Sequence, residues 1–433
     1  MPQTTLLYDR GALSFEVPEG TAILRPPGST PLADPDAALR EALARPIDAP
    51  PLAALAAGLP AGGAVVITIS DITRPVPNAP IVGAVLGVLH GAGVAAEQIT
   101  ILVATGMHRG STPAEHVEML GRPIVGGYRI VDHDSRDPAG VRPLDRPTSA
   151  GTRASVNRRY LDADLKIVTG FIEPHFMAGF SGGRKGICPG LVDLATVEHF
   201  HGYEFLASPR AAAGVTEGNP CHVEATEVAA RAGCDFLVNV TVDTAKRICG
   251  VFAGEITAAH RRGIEAVRRD LAVPVERQYD VVFTCGGGYP LDTTFYQTVK
   301  GMVIAEPFVR PAGTMVVASG LAQQVGSTAY FDLMQRFDGD WKGFLKHIGA
   351  SGRTELDQWE FQMQCRVLEK LGVEGLVLVT DGLGDAAARP CCYTPAAALV
   401  GAGSPADQLA RLVDRFAGRS MAVIPTGPYI LPV

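Results

Sequence analysis

Ala64-Val-Val-Ile-Thr-Ile-Ser-Asp71-Ile-Thr-Arg74-Pro75 carries a short apolar run straight into a carboxylate, a guanidinium and a proline. Apolar residues on successive positions over this length read as a strand covered on both faces. A helix is predicted next, over Asn78–His90, and the pattern then repeats. Ile99–Ala104 reads as a strand, Pro113–Leu120 as a helix, and Tyr128–Val131 and Leu165–Thr169 as strands. Such alternation predicts an α/β fold with a parallel-rich sheet and helices on both faces. Ligands of these sheets gather beyond the C-terminal ends of the strands. Three polar stretches fall there: Ser70–Pro75, Thr105–Arg109 and Gly170–Gly190.

Further along, helices are predicted over residues 193–206, 220–232 and 254–269, with strands over Phe236–Thr241 and Arg247–Phe252. Pro274 breaks the chain near Leu271–Tyr279, and a second alternating unit begins. It has strands at Tyr279–Thr284, Thr314–Ala318 and Gly375–Thr380, and helices over residues 292–303 and 355–371. The expected domains are residues 1–272 and 273–418, with 419–433 holding a last strand that returns to the first domain. A length of 433 residues suits two cores.

Composition narrows the function classes. Lys and Arg total 38 against 45 Asp and Glu, a formal charge of −7, which argues against nucleic acid or an anionic membrane as partner. Apolar runs stay well below the ~20 residues that span a bilayer. The eight cysteines form no CxxC pair, which fits a reduced, cytoplasmic protein.

The densest chemistry lies in Gly170-Phe-Ile-Glu-Pro-His175-Phe-Met-Ala-Gly-Phe-Ser181-Gly-Gly-Arg-Lys185-Gly-Ile-Cys-Pro-Gly190, where six of 21 residues are glycine. Glycines let backbone N–H groups approach an anion, and Lys or Arg supplies countercharge. Neither a Walker A loop nor a GxGxxG fingerprint is present. His108 follows a strand end, His175 lies within the glycine stretch, and His201 follows it. On the predicted helix His201 shares a face with Leu194, Val197 and Glu198, where an imidazole needs a hydrogen bond or a metal. Asp71 and Arg74 suit ribose hydroxyls, phosphate or a substrate carboxylate, or else a capped turn. In the second unit Tyr296, Gln297 and Lys300 adjoin on one helix, and Gln with Lys makes a carboxylate clamp or an ordinary amphipathic helix end.

Together these stretches resemble the lactate racemase family. The resemblance rests on Asp71-Ile-Thr-Arg74-Pro75, Ala104-Thr-Gly-Met-His108, Asp132-His-Asp134, Gly170–Gly190, His201 and Tyr296-Gln-Thr-Val-Lys300, and runs in order from about Asp71 to Trp359. It implies two α/β domains with the active site in the cleft between them. It also implies a racemase or epimerase of 2-hydroxy acids, and cofactor-maturation proteins as partners. The implied cofactor is the nickel-pincer nucleotide (pyridinium-3,5-bisthiocarboxylic acid mononucleotide nickel). By match to the family's motifs, Lys185 would carry the covalent link to it and His201 would ligate nickel. His108 and His175 would be the paired acid/base residues, and Arg74, Gln297 and Lys300 would hold the substrate carboxylate. Asp71, Ser181, Gly182 and Gly183 would contact the cofactor's ribose and phosphate, while Tyr296 and Trp359 would line the pocket. Trp359 tilts the expectation towards a small acid. A nicotinamide-dependent 2-hydroxy acid dehydrogenase and a non-catalytic nucleotide or metabolite binder are the competing readings.

Overall fold

The computed structural model describes residues 2–433. The chain forms two compact units. Residues 28–200 and 210–270 build one, and residues 2–27, 201–209 and 271–433 build the other.

The first of these is organised on a six-stranded sheet. From edge to edge its strands are Ile248–Gly254, Phe236–Val242, Leu165–Phe171, Val65–Ser70, Ile99–Ala104 and Arg129–Asp132. All pairings are parallel except that of the edge strand Ile248–Gly254. Val65 to Ile69 are all buried, as expected of a strand with helices on both sides. Helix Asn78–Gly91 buries Ile81, Val82, Val85, Leu86 and Leu89 in the apolar core. Chain order runs outward in one direction from Val65–Ser70 and then resumes on its other side with Leu165–Phe171. The sheet's topological switch point therefore lies between these two strands.

The second unit has six parallel strands in the order Thr394–Pro395, Leu376–Val379, Val309–Ala318, Tyr279–Cys285, Met421–Val423 and Ala22–Ile23. An antiparallel hairpin, Gln3–Tyr8 with Gly11–Glu16, adds Leu6 and Phe15 to the core around Phe283 and Val316. The parallel-rich α/β architecture agrees with the sequence expectation.

The division of the chain does not follow the expected domain limits. Residues 2–27 fold with the C-terminal segments because Ala22–Ile23 completes the sheet beside Met421–Val423. For the same reason the terminal strand pairs inside this unit, with Tyr279–Cys285, and does not return to the other. The continuous helix expected over residues 193–206 is also two helices, Leu194–Phe200 and Tyr203–Ala207, parted at His201 and Gly202. Gly202 takes an extended conformation at the second helix's N-terminus, and the chain changes unit at this break. All eight cysteines are free thiols. No helix among the described residues is long and apolar enough to cross a membrane.

Candidate active site

Both strands at the switch point end in loops shaped by short-range bonds. After Ser70 the chain turns through Arg74 N–H to Asp71 O, Val76 N–H to Arg74 O and Asn78 N–H to Val76 O. Asn78 Nδ2 also donates to Ser70 O at 3.2 Å, tying the next helix to the strand end. Gly106 N–H donates to Gly190 O at 2.9 Å, which brings the loop bearing His108 against the end of the glycine stretch. Three loops from distant parts of the sequence thus meet at one end of one sheet.

Asp71 is buried, and both its carboxylate oxygens are engaged within the chain. Thr73 Oγ1 donates to Oδ1 at 2.7 Å, and His108 Nδ1 lies 2.7 Å from Oδ2. Burial alone would raise the Asp71 pKa, but the hydrogen bond and charge of His108, with the charges of Arg74 and the Thr73 bond, bring it below the usual value. Each Asp71 oxygen thus has a partner within the protein. His108 keeps part of its ring in solvent. The Arg74 guanidinium makes no hydrogen bond or ion pair among the described residues.

In the glycine stretch, Pro174–His175 and Gly179–Phe180 form a two-stranded hairpin. Within it, Met177 N–H and Ala178 N–H both donate to His175 Nδ1 at 3.2 Å. His175 Nε2 faces Lys185 Nζ at 3.2 Å. Lys185 sits in the short helix Gly183–Gly186, its amine 5.5 Å from the centre of the Phe200 ring. Burial, then the positive charges of Arg74 and Arg184, lower its pKa from 10.5 to about 7. The neighbouring Arg184 is buried and donates to the carbonyls of Ala178 and Phe180, which fixes the base of the hairpin.

Ser181 and Gly183 were expected to offer N–H groups to a phosphate, but the fold uses both. Ser181 N–H donates to Glu173 O, and Gly183 N–H donates to Asn239 Oδ1 at 2.7 Å. Ser181 Oγ accepts from Glu173 N–H and donates to Phe171 O. The glycines are demanded by packing: a Cβ on Gly182 would stand 2.6 Å from Asn239 Oδ1, and one on Gly183 would stand 2.6 Å from the His260 ring. Gly182 and Gly183 both have positive φ, +75° and +52°. His260 Nε2 in turn donates to Ser181 O at 2.8 Å, and burial keeps its ring neutral with a pKa of about 3. Asn239 and His260 thus shape the turn that presents Lys185. Neither was picked out from sequence, although an Asn inside the buried strand Phe-Leu-Val-Asn-Val and a His on the apolar face of helix Ile256–Leu271 were the available signals.

His133 is buried and structural, held by Val192 O and Asn157 Nδ2. No group of three or more His, Cys, Asp or Glu side chains that could hold a metal is assembled among the described residues.

The other unit brings together most of the remaining residues singled out. The His201 ring packs on Trp359, with centroids 4.8 Å apart. Trp359 Nε1 donates to Tyr296 Oη at 2.8 Å, and Tyr296 packs edge-on against Tyr330. One turn along helix Phe295–Ala305, Lys300 Nζ donates to Gln297 Oε1, so the expected Gln–Lys pair adjoins as its spacing requires. His201 does not lie on the apolar face of a long helix, because that helix ends at Phe200. Its environment comes from Trp359 instead.

Comparison with known proteins extends over nearly the whole chain. Residues 8–214 match the family model described as Lactate racemase N-terminal domain, and residues 275–430 match Lactate racemase C-terminal domain. A lactate racemase of Thermoanaerobacterium thermosaccharolyticum is 34% identical over 403 residues, 92% of each chain. A lactate racemase of Lactiplantibacillus plantarum is 38% identical over 306 residues, 70% of this chain and 71% of that one. The structure of the lactate racemase apoprotein from T. thermosaccharolyticum superposes with a TM-score of 0.90 at 31% identity, covering 100% of both chains. A protein from Thermotoga maritima shares the fold, with a TM-score of 0.68 at 16% identity over 92% of this chain and 98% of that one.

Proposed function

The chain belongs to the lactate racemase family, and on that premise we propose that it inverts the α-carbon of a small 2-hydroxy acid, lactate being the first to test. The observation that carries the reading is the Lys185 amine, held near neutrality beside His175 on a turn that the sheet, Asn239 and His260 all shape.

Inversion has to remove hydrogen from a carbon beside a carboxylate, where the C–H bond is too weakly acidic for an imidazole acting alone. Oxidation to the 2-keto acid and reduction on the opposite face avoids that carbanion. In our reading Arg74, Gln297 and Lys300 bind the substrate carboxylate, and Arg74 suits the task because its guanidinium is not spent on a partner in the chain. His108 and His175 hold and return the hydroxyl proton, a role typically worth ~10²–10⁴-fold in rate. Tyr296 and Trp359 give the substrate's side chain an aromatic wall, and their mutual hydrogen bond keeps that wall rigid.

The nickel-pincer nucleotide fits the donor groups present. An uncharged amine is the form that joins to a thiocarboxylic acid, and Lys185 is kept in that form above pH 7 or so. Nickel already chelated by an organic ring needs few protein ligands, and we assign His201 as one. When bound, the cofactor would supply reversible acceptance of hydride from the α-carbon.

The test is a panel of enantiopure 2-hydroxy acids, incubated with protein co-expressed with the cofactor-maturation proteins and scored by chiral chromatography without added NAD. L-lactate should come to an equal mixture with D-lactate, and Lys185→Ala should abolish this. Full activity of Lys185→Ala, or turnover only with NAD, overturns the reading.

A further inference from the structure

The two imidazoles do not have the same surroundings. His108 has a buried carboxylate behind Nδ1, 2.7 Å away, and that carboxylate is fixed on its other oxygen by Thr73. His175 has two backbone N–H groups directed at Nδ1. An ionised carboxylate only accepts hydrogen bonds, so Nδ1 of His108 must carry a hydrogen and its neutral ring bears the lone pair on Nε2. Backbone N–H groups only donate, so Nδ1 of His175 must carry the lone pair and its neutral ring bears the hydrogen on Nε2.

We propose that Asp71 is a positioning residue that sets His108 as the proton acceptor of the pair, while the Met177–Ala178 turn sets His175 in the opposite tautomer, its Nε2–H directed at the uncharged Lys185 amine 3.2 Å away. Asp71 is thereby assigned to the acid/base machinery and not to a ribose. In the half-reaction that begins at His108, the substrate O–H bond breaks and an Nε2–H bond forms. The resulting imidazolium is matched by the carboxylate at its back, and the proton returns by the reverse step. The charged groups around this pair are Arg74 on the Asp71 loop, Arg109, which is paired with Glu115, and Arg136, which donates to Met107 O. None of these places an acceptor on Nδ1 in competition with Asp71. The same arrangement makes Asp71→Asn informative. Thr73 donates to Oδ1, so the amide oxygen belongs on that side and the NH₂ falls opposite His108. An NH₂ there donates to Nδ1 and drives the ring to the other tautomer, removing the Nε2 lone pair.

The proposal rests on the racemase reading for its consequence, but its geometry is tested without turnover. Long-range ¹H–¹⁵N spectra of histidine-labelled apoprotein, assigned with His108→Gln and His175→Gln, read both tautomers directly. The expected result is Nδ1–H for His108 and Nε2–H for His175, with His108 switching to Nε2–H in Asp71→Asn. Wild-type His108 as Nε2–H, or an Asn variant with its tautomer unchanged, overturns the proposal. In the loaded enzyme the Asn variant should lose on the order of 10²-fold or more in kcat with KM little changed. A loss confined to KM, or none, counts against it. If the tautomers are as stated but no 2-hydroxy acid is racemised, it is the functional reading that fails.

Discussion

Lys185 stands where a charge is hard to keep. Its amine has a pKa of about 7 in the folded protein against 10.5 ordinarily, so between those values the unfolded chain binds the proton more tightly. Stability should therefore rise as pH increases from about 7 towards 10.5, and the penalty is fully present below that window. Replacing Lys185 by Met removes the effect. The apoprotein variant should melt higher than wild type at pH 7, with the gap closing as the pH approaches 10, measured by differential scanning calorimetry. A constant gap would mean that the amine is not desolvated. The same free amine should make Lys185 the first lysine acylated by a limiting anhydride at pH 7.5, read by peptide mass mapping. The special character of this residue was legible in sequence, because a lysine inside a run of glycines has few structural uses. The role of Asp71 was not, because a carboxylate at a strand end looks the same whether it faces a ligand or a histidine 37 positions away.

At the scale of elements, the turn Gly182–Gly186 depends on what lies beneath it. Gly183→Ala forces a side chain into the left-handed region, at about 1–3 kcal/mol, and into contact with His260. Asn239→Ala leaves the Gly183 N–H without its acceptor, at about 1–3 kcal/mol. Urea denaturation of the apoprotein should show both losses, and Asn239→Asp should not recover the second, because its other oxygen would face Val238 O, to which Asn239 Nδ2 donates, at a fully buried position. The longer sheet strands were readable because each is a compact apolar run, and helix Pro220–Ala232 because proline marks its start, whereas the two-residue strands Ala22–Ile23 and Thr394–Pro395 are too short to show a pattern. The break at His201 was hidden. Apolar residues at helical spacing continue through it, and the local mark of the break is Gly202, extended at the start of the second helix where the chain changes unit. Helices Thr328–Phe337, Trp341–Ser351 and Pro405–Arg415 went unassigned between clearer signals, although each opens on a Ser or Asp cap that donors in its first turn confirm.

For the molecule as a whole, alternation of strand and helix disclosed the α/β architecture but not which segments share a core. Sequence order suggested a division near residue 272, whereas hydrogen-bonding partners decide it, and the hairpin at the start bonds with the end. Phe15 is buried against Phe283, ring centroids 5.7 Å apart. Phe15→Ala should accordingly cost about 3–5 kcal/mol. In a denaturation series followed by hydrogen exchange, lost protection should concentrate in strands Tyr279–Cys285 and Met421–Val423 and spare Val65–Ser70.

Strand Ala22–Ile23 hydrogen-bonds to Met421–Val423, so some 400 residues of translation separate the two halves of one ladder. A nascent chain can finish the sheet around Val65–Ser70 once residue 270 has left the ribosome, since every segment of that unit is then available. Its first 27 residues must meanwhile wait, with Leu6, Phe15 and Val17 exposed to whatever else is in reach, until the last strand is made. Pauses or truncations late in the message should thus leave a folded middle with sticky leading ends, a form for chaperones to hold.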